Sequence, residues 1–86
     1  MAARKTVTAS LIDEAGLTVN TRAKHAWNSG VRETEAMLRE YGRENGVSWV
    51  GDHPEVVRNE TGREYRREWT ASNGVTFWAL VTEVQP

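Results

Sequence analysis

Tyr65-Arg66-Arg67-Glu68-Trp69-Thr70-Ala71-Ser72-Asn73-Gly74-Val75-Thr76-Phe77-Trp78-Ala79-Leu80-Val81 is the stretch that decides the fold. Two runs rich in aromatic and β-branched residues flank Asn73-Gly74, a pair that readily takes the two positive-φ positions of a type I′ turn. A two-residue loop there pairs Ser72 with Val75, Trp69 with Trp78, Arg67 with Leu80 and Tyr65 with Thr82. Directly opposed residues share a face. One face then carries Tyr65, Trp69, Trp78, Leu80 and Val84 with Arg63 and Arg67, and should meet a helix. The other carries Phe77, Ala79 and Val81 among Glu64, Arg66, Glu68, Thr70 and Glu83. Apolar groups with a polar border often mark partner-binding sites, so Arg66, Phe77 and Val81 are candidate contact residues. The plain alternatives are that Ala2 to Val19 folds over this face or that the protein dimerises through it. A three-residue loop would turn one strand over and undo the assignment.

Upstream, Thr6 to Ile12 alternates, with Val7, Ala9 and Leu11 on one side, as a half-buried strand does. Asp13-Glu14-Ala15-Gly16 reads as a turn, and Leu17-Thr18-Val19 can return as a second strand. The alternative is that Leu17 to Trp27 is mostly irregular. Asn28-Ser29 offers helix N-cap chemistry. From there to about residue 45, Val31, Thr34, Met37, Leu38 and Tyr41 gather on one arc at about 100° per residue. Asn45-Gly46 closes this helix, because glycine takes the left-handed C′ position without a Cβ penalty. Val47 to Val50 and Val56-Val57 read as short strands, the latter turning at Asn59-Glu60-Thr61-Gly62. The expected fold class is therefore α+β, one helix (about 29–45) on an antiparallel sheet of four to five strands, order β(β)αβββ, in a single domain spanning 1–86.

Composition bounds the function. The 86 residues include 11 basic and 12 acidic ones, a formal net charge of −1 that argues against a strongly basic nucleic-acid binder. Without cysteine there is neither a disulfide nor a thiolate metal cluster, so four tryptophans are expected to supply much of the buried area. No apolar run approaches the roughly 20 residues that span a bilayer, and basic Met1-Ala2-Ala3-Arg4-Lys5 is not followed by a signal-peptide stretch. The expectation is a cytoplasmic protein.

Catalytic signals are weak. His25 and His53 have no ligand spacing, Asp52-His53-Pro54 reads as turn chemistry, and no serine or glycine cluster forms a nucleophile elbow or phosphate loop. No enzyme activity, metal or cofactor is expected. The helix is more informative. Arg32, Arg39 and Arg43 form one stripe, and Glu33, Glu40 and Glu44 form another. Local pairs such as Glu35–Arg39 and Glu40–Arg43 would make this an ordinary solvated face. The functional alternative is a docking stripe for an acidic partner or phosphates.

In size and style the chain resembles small accessory proteins of bacteriophages and mobile elements, many of which bind and block a host complex. That resemblance implies a protein-binding module acting by steric occlusion or conformational locking; the residues themselves offer Arg66, Phe77 and Val81 of the open sheet face and Arg32, Arg39 and Arg43 of the helix as its contact residues. Two alternatives stand beside it. One is a nucleic-acid binder using Tyr65, Arg66, Arg67 and neighbouring arginines. The other is a homo-oligomeric component that covers its own sheet face.

Overall fold

The computed structural model describes residues 6–84; the basic stretch Met1–Lys5 lies outside them. The elements are β1 (Thr6–Asp13), β2 (Thr18–Lys24), α1 (Trp27–Asn45), β3 (Trp49–Gly51), β4 (Glu55–Asn59), β5 (Gly62–Ala71) and β6 (Thr76–Val84). All pair antiparallel in the order β2-β1-β6-β5, with β3 and β4 sharing the outer edge of β5. The result is the expected α+β class, one helix on an antiparallel sheet of six strands that is only five strands wide, because β3 and β4 lie along one edge.

The last hairpin closes with one more residue than the sequence reading supposed. Ala71 N–H donates to Val75 O at 2.8 Å, and Gly74 N–H donates to Ala71 O at 2.9 Å. Gly74 sits at φ +90°, while no non-glycine among the described residues has positive φ. A type I′ turn needs positive φ at Asn73 as well, so it is excluded. Ser72-Asn73-Gly74 is instead a three-residue loop, a type I turn closed by a left-handed glycine. Asn73 stabilises it from its side chain, its Oδ1 accepting from Val75 N–H at 3.2 Å.

That one residue resets the register. Trp69 opposes Phe77, Arg67 opposes Ala79, Tyr65 opposes Val81, and Glu68 opposes Trp78. Since side chains alternate between faces, β5 keeps the faces expected of it and β6 turns over. Phe77 (5% exposed) and Val81 (0%) point under the helix, while Trp78 (41%) looks away from it. The expectation of an open contact site at Phe77 and Val81 is corrected. Arg66 does lie on the open face, but opposite Leu80.

The core forms where α1 lies over β1, β6 and β2. Val7, Ala9 and Leu11 alternate out of β1, and Phe77, Ala79 and Val81 out of β6, to meet Met37 and Leu38 of the expected helical arc. Gly30 sets the approach of the helix. A Cβ there would stand 2.7 Å from Val7 Cγ1 and 2.9 Å from Val81 Cγ1, both fully buried. Gly30→Ala should therefore destabilise by about 1–2 kcal/mol, overpacking outweighing the gain in helix propensity. An unchanged urea midpoint would contradict this contact.

The helix boundaries show where local chemistry did and did not decide. Gly46 closes α1 at φ +65°, as its sequence position implied. The start is two residues earlier than Asn28-Ser29 suggested, at Trp27 after Ala26, which provides no side-chain cap. Tertiary contact explains the earlier start: Trp27 packs against the core and meets Tyr65 edge-on at 6.5 Å between centroids. β2 is a full strand, settling the irregular alternative for most of Leu17 to Trp27. It lacks apolar alternation because it is an edge strand whose helix-facing residues, Asn20, Arg22 and Lys24, are polar or charged. Its register slips by one residue at Val19-Asn20, a bulge that bends the edge.

Candidate functional site

Charge is segregated across the helix. On the β2 side, Arg22 binds both Glu33 and Glu40, the second at 2.7 Å, and Lys24 reaches Glu33 at 3.2 Å. Glu40 is therefore held by a strand, and the expected local pairs Glu35–Arg39 and Glu40–Arg43 are not among the ion pairs of the described residues. The Arg22 hydrogen bond, helped by Lys24 and opposed by burial, lowers the Glu33 pKa below its ordinary value of 4.5. A lowered folded pKa means this contribution is complete above about pH 4.5 and is lost as pH falls through the folded value. Acid titration of stability should show the gap between the native chain and Glu33→Gln, under about 1 kcal/mol for such a partly exposed cluster, closing below that pH. A gap that widens on acidification would contradict the assignment.

On the opposite flank, Arg32, Arg39 and Arg43 are exposed and take part in no ion pair among the described residues. Here α1 does not cover the sheet, and a groove of 560 Å³ opens between the helix and the β3–β5 edge. Glu35, Leu38, Arg39, Gly42 and Arg43 line it from the helix, Val47 and Ser48 from the following loop, Trp49 from β3 and Trp69 from β5. Two of the three arginines of the stripe thus share the groove; Arg32 is not part of its lining.

The groove floor is built by register and by one glycine. Trp49 opposes Ala71, and Gly51 opposes Trp69, which brings the two indoles to the same side of the sheet. Trp49 Nε1 donates to the Leu38 carbonyl at 2.8 Å. Gly42 permits this closeness: a Cβ there would meet Val47 O at 2.7 Å and Trp49 Nε1 at 3.4 Å. Phe77 locks Trp49 from below at 5.3 Å between centroids, with Tyr41 at 4.9 Å from Phe77. Rings at these distances are worth about 0.5–1.5 kcal/mol per pair beyond their burial.

Trp69 differs from Trp49. Its Nε1 has less than 1 Å² of exposure and no hydrogen-bond partner. Its ring is capped by the Arg67 guanidinium at 4.3 Å, and Arg67 Nε in turn donates to Asp52 O at 2.6 Å. Further along the same face Arg63 lies 4.1 Å over Trp27 and grips Glu83, with Nε–Oε1 at 3.1 Å. Glu83 is only 4% exposed, so Arg63 balances a buried charge. Tyr65 is buried between these arginines, and burial raises its pKa above the ordinary value.

The residues proposed for single-strand stacking are therefore divided. Arg66 and Arg67 point to opposite faces, and the rings of Trp27 and Trp69 are each covered by a guanidinium. The open face holds Ile12, Trp78 and Leu80 with Glu64 and Arg66, the last two paired at 3.5 Å. His25 and His53 are exposed, and no group of three or more potential metal ligands occurs among the described residues. No helix among them is long and apolar enough to cross a membrane. Sequence reasoning found the arginine stripe but missed Trp49 and Trp69 as its companions; only the pairing of β3 with β5 joins them. The chain matches no protein-family model, no curated protein and no solved structure.

Proposed function

We propose that the chain is a non-catalytic protein-binding module whose contact surface is the groove between α1 and the β3–β5 edge. One observation carries the reading: Arg39 and Arg43 form no ion pair among the described residues and stand beside Trp49 and Trp69, while the helix's Glu33 and Glu40 are held by β2. Tryptophan and arginine are the residues most enriched at energetic centres of protein interfaces. A helix and two strands frame most of the groove, so little backbone ordering opposes binding there. The finer form of the reading is that occupancy sterically blocks a host complex, and the small size of the chain and this preformed surface support it. Phe77 contributes from beneath, by holding Trp49 in place.

The test begins with a photo-crosslinking residue at Arg39 or, as a control, at Thr82 on the far face. Arg39 should capture a discrete partner and Thr82 should not. Affinity for that partner should then fall at least about tenfold in Arg39→Glu/Arg43→Glu, as for truncated interfacial charges. Both residues are exposed, so circular dichroism should be unchanged. Affinity that does not respond to the double replacement would remove the groove from the interface.

A further inference from the structure

Resting on that reading, we infer that the groove takes an extended acidic segment of a partner protein, in which an apolar residue lies between two carboxylates. Three features converge on this occupant. The first is charge. Among the described residues Arg39 and Arg43 face a single lining carboxylate, Glu35, and the Arg67 guanidinium lies just beyond over Trp69, so the groove is cationic in a chain whose formal net charge is −1.

The second is spacing. Arg39 and Arg43 are one helical turn apart, about 6 Å along the axis. Alternate residues of an extended chain are about 6.5 Å apart and point the same way. A segment lying along the groove thus presents two carboxylates to the helix wall, where bidentate pairing suits guanidinium. The residue between them points to the other wall, where Trp49, Trp69 and Val47 form an apolar surface. A volume of 560 Å³ is within the usual range for a site that buries a few side chains.

The third is an unmet hydrogen bond. Trp69 Nε1 is the one buried side-chain polar atom without a partner among the described residues. Buried donors are ordinarily satisfied, and leaving one unmade is costly. A carboxylate or carbonyl oxygen of the segment supplies the acceptor once a neighbouring rim side chain swings aside, since the nitrogen is closed to water in the free chain. A nucleotide fits less well, because Trp69 is capped by Arg67 and Trp49 is packed on Phe77, so bases find no free stacking platform there.

The experiment uses the ¹⁵N-labelled full chain, whose four indole N–H signals report each tryptophan separately. The probe is a short capped peptide alternating glutamate and leucine, with a lysine–leucine peptide and a short oligothymidylate as comparisons. The glutamate peptide should move the Trp69 indole signal downfield and leave that of Trp78, on the far face, in place. Its affinity should weaken with salt and fall about tenfold or more in Arg39→Glu/Arg43→Glu. A Trp69 signal that ignores the glutamate peptide, or answers the lysine peptide or the oligonucleotide equally, overturns the inference. If the captured natural partner still depends on Arg39 and Arg43 in that case, the groove stands and only the class of occupant is wrong. If neither ligand depends on them, the groove itself falls.

Discussion

Phe77→Ala should destabilise the protein by about 3–5 kcal/mol, whereas Trp78→Thr next to it should cost about 1 kcal/mol or less. The contrast comes from one residue of loop length. Phe77 is 5% exposed and touches the rings of Tyr41 and Trp49, so its removal leaves a cavity under the helix and frees the groove floor. Trp78 is 41% exposed on the face that no element of the described residues covers. A chain of 86 residues has a total stability of roughly 4–13 kcal/mol, so the first change approaches unfolding and the second does not. Urea denaturation followed by circular dichroism, which does not rely on either ring, measures both. Equal costs at the two positions would contradict the register.

Arg63→Met should cost about 3 kcal/mol, near the lower limit for breaking a buried ion pair because the Arg63 side chain keeps 25% exposure. What is lost is chiefly compensation: the Glu83 carboxylate, 4% exposed on the helix side of the sheet, loses the guanidinium that grips it. The contact of the guanidinium with Trp27 goes too, a smaller effect of about 0.5–1 kcal/mol. Arg63→Met/Glu83→Leu should regain most of the stability, since replacing a buried pair by apolar groups is often neutral or better. A double variant as unstable as the single one would show that packing against Trp27, and not charge balance, is the role of Arg63.

These two expectations mark the limit of what could be read from the chain. Strand β1, the helical arc through Thr34, Met37 and Leu38, the stop at Gly46 and the turn at Asn59 were all legible because each follows from a local pattern. Asn59 shows why: its Oδ1 accepts from Thr61 N–H, Thr61 Oγ1 and Gly62 N–H, a turn written within four residues. The face assignment of β6 was not legible. Phe77, Ala79 and Val81 alternate with Trp78, Leu80 and Thr82, so neither set is clearly the wet one. Asn-Gly suits a two-residue loop and a three-residue loop alike, and only tertiary burial chose between them.

The same reason explains the groove. Arg39 and Arg43 were visible as part of a stripe, since helical spacing is local. Which stripe is free was not visible, because Arg22 and Lys24 lie on a strand whose polar sequence resembles a loop. Arg22 and Lys24 are satisfied by Glu33 and Glu40 and not by apolar contact, so no period of two appears. Trp49 and Trp69 are twenty residues apart in sequence. They share the groove only because β3 pairs with the far end of β5, a long-range choice that no spacing records.

Cross-strand Hα–Hα contacts in the final hairpin, read by nuclear Overhauser spectroscopy, test the register most directly. Residues opposed at non-hydrogen-bonded positions approach closely enough to give strong signals. Strong contacts are expected between Thr70 and Thr76 and between Glu68 and Trp78. Strong contacts between Ala71 and Thr76, or between Trp69 and Trp78, the non-hydrogen-bonded pairs of a two-residue loop, would instead place Phe77 and Val81 on the open face and remove the floor on which the groove is built.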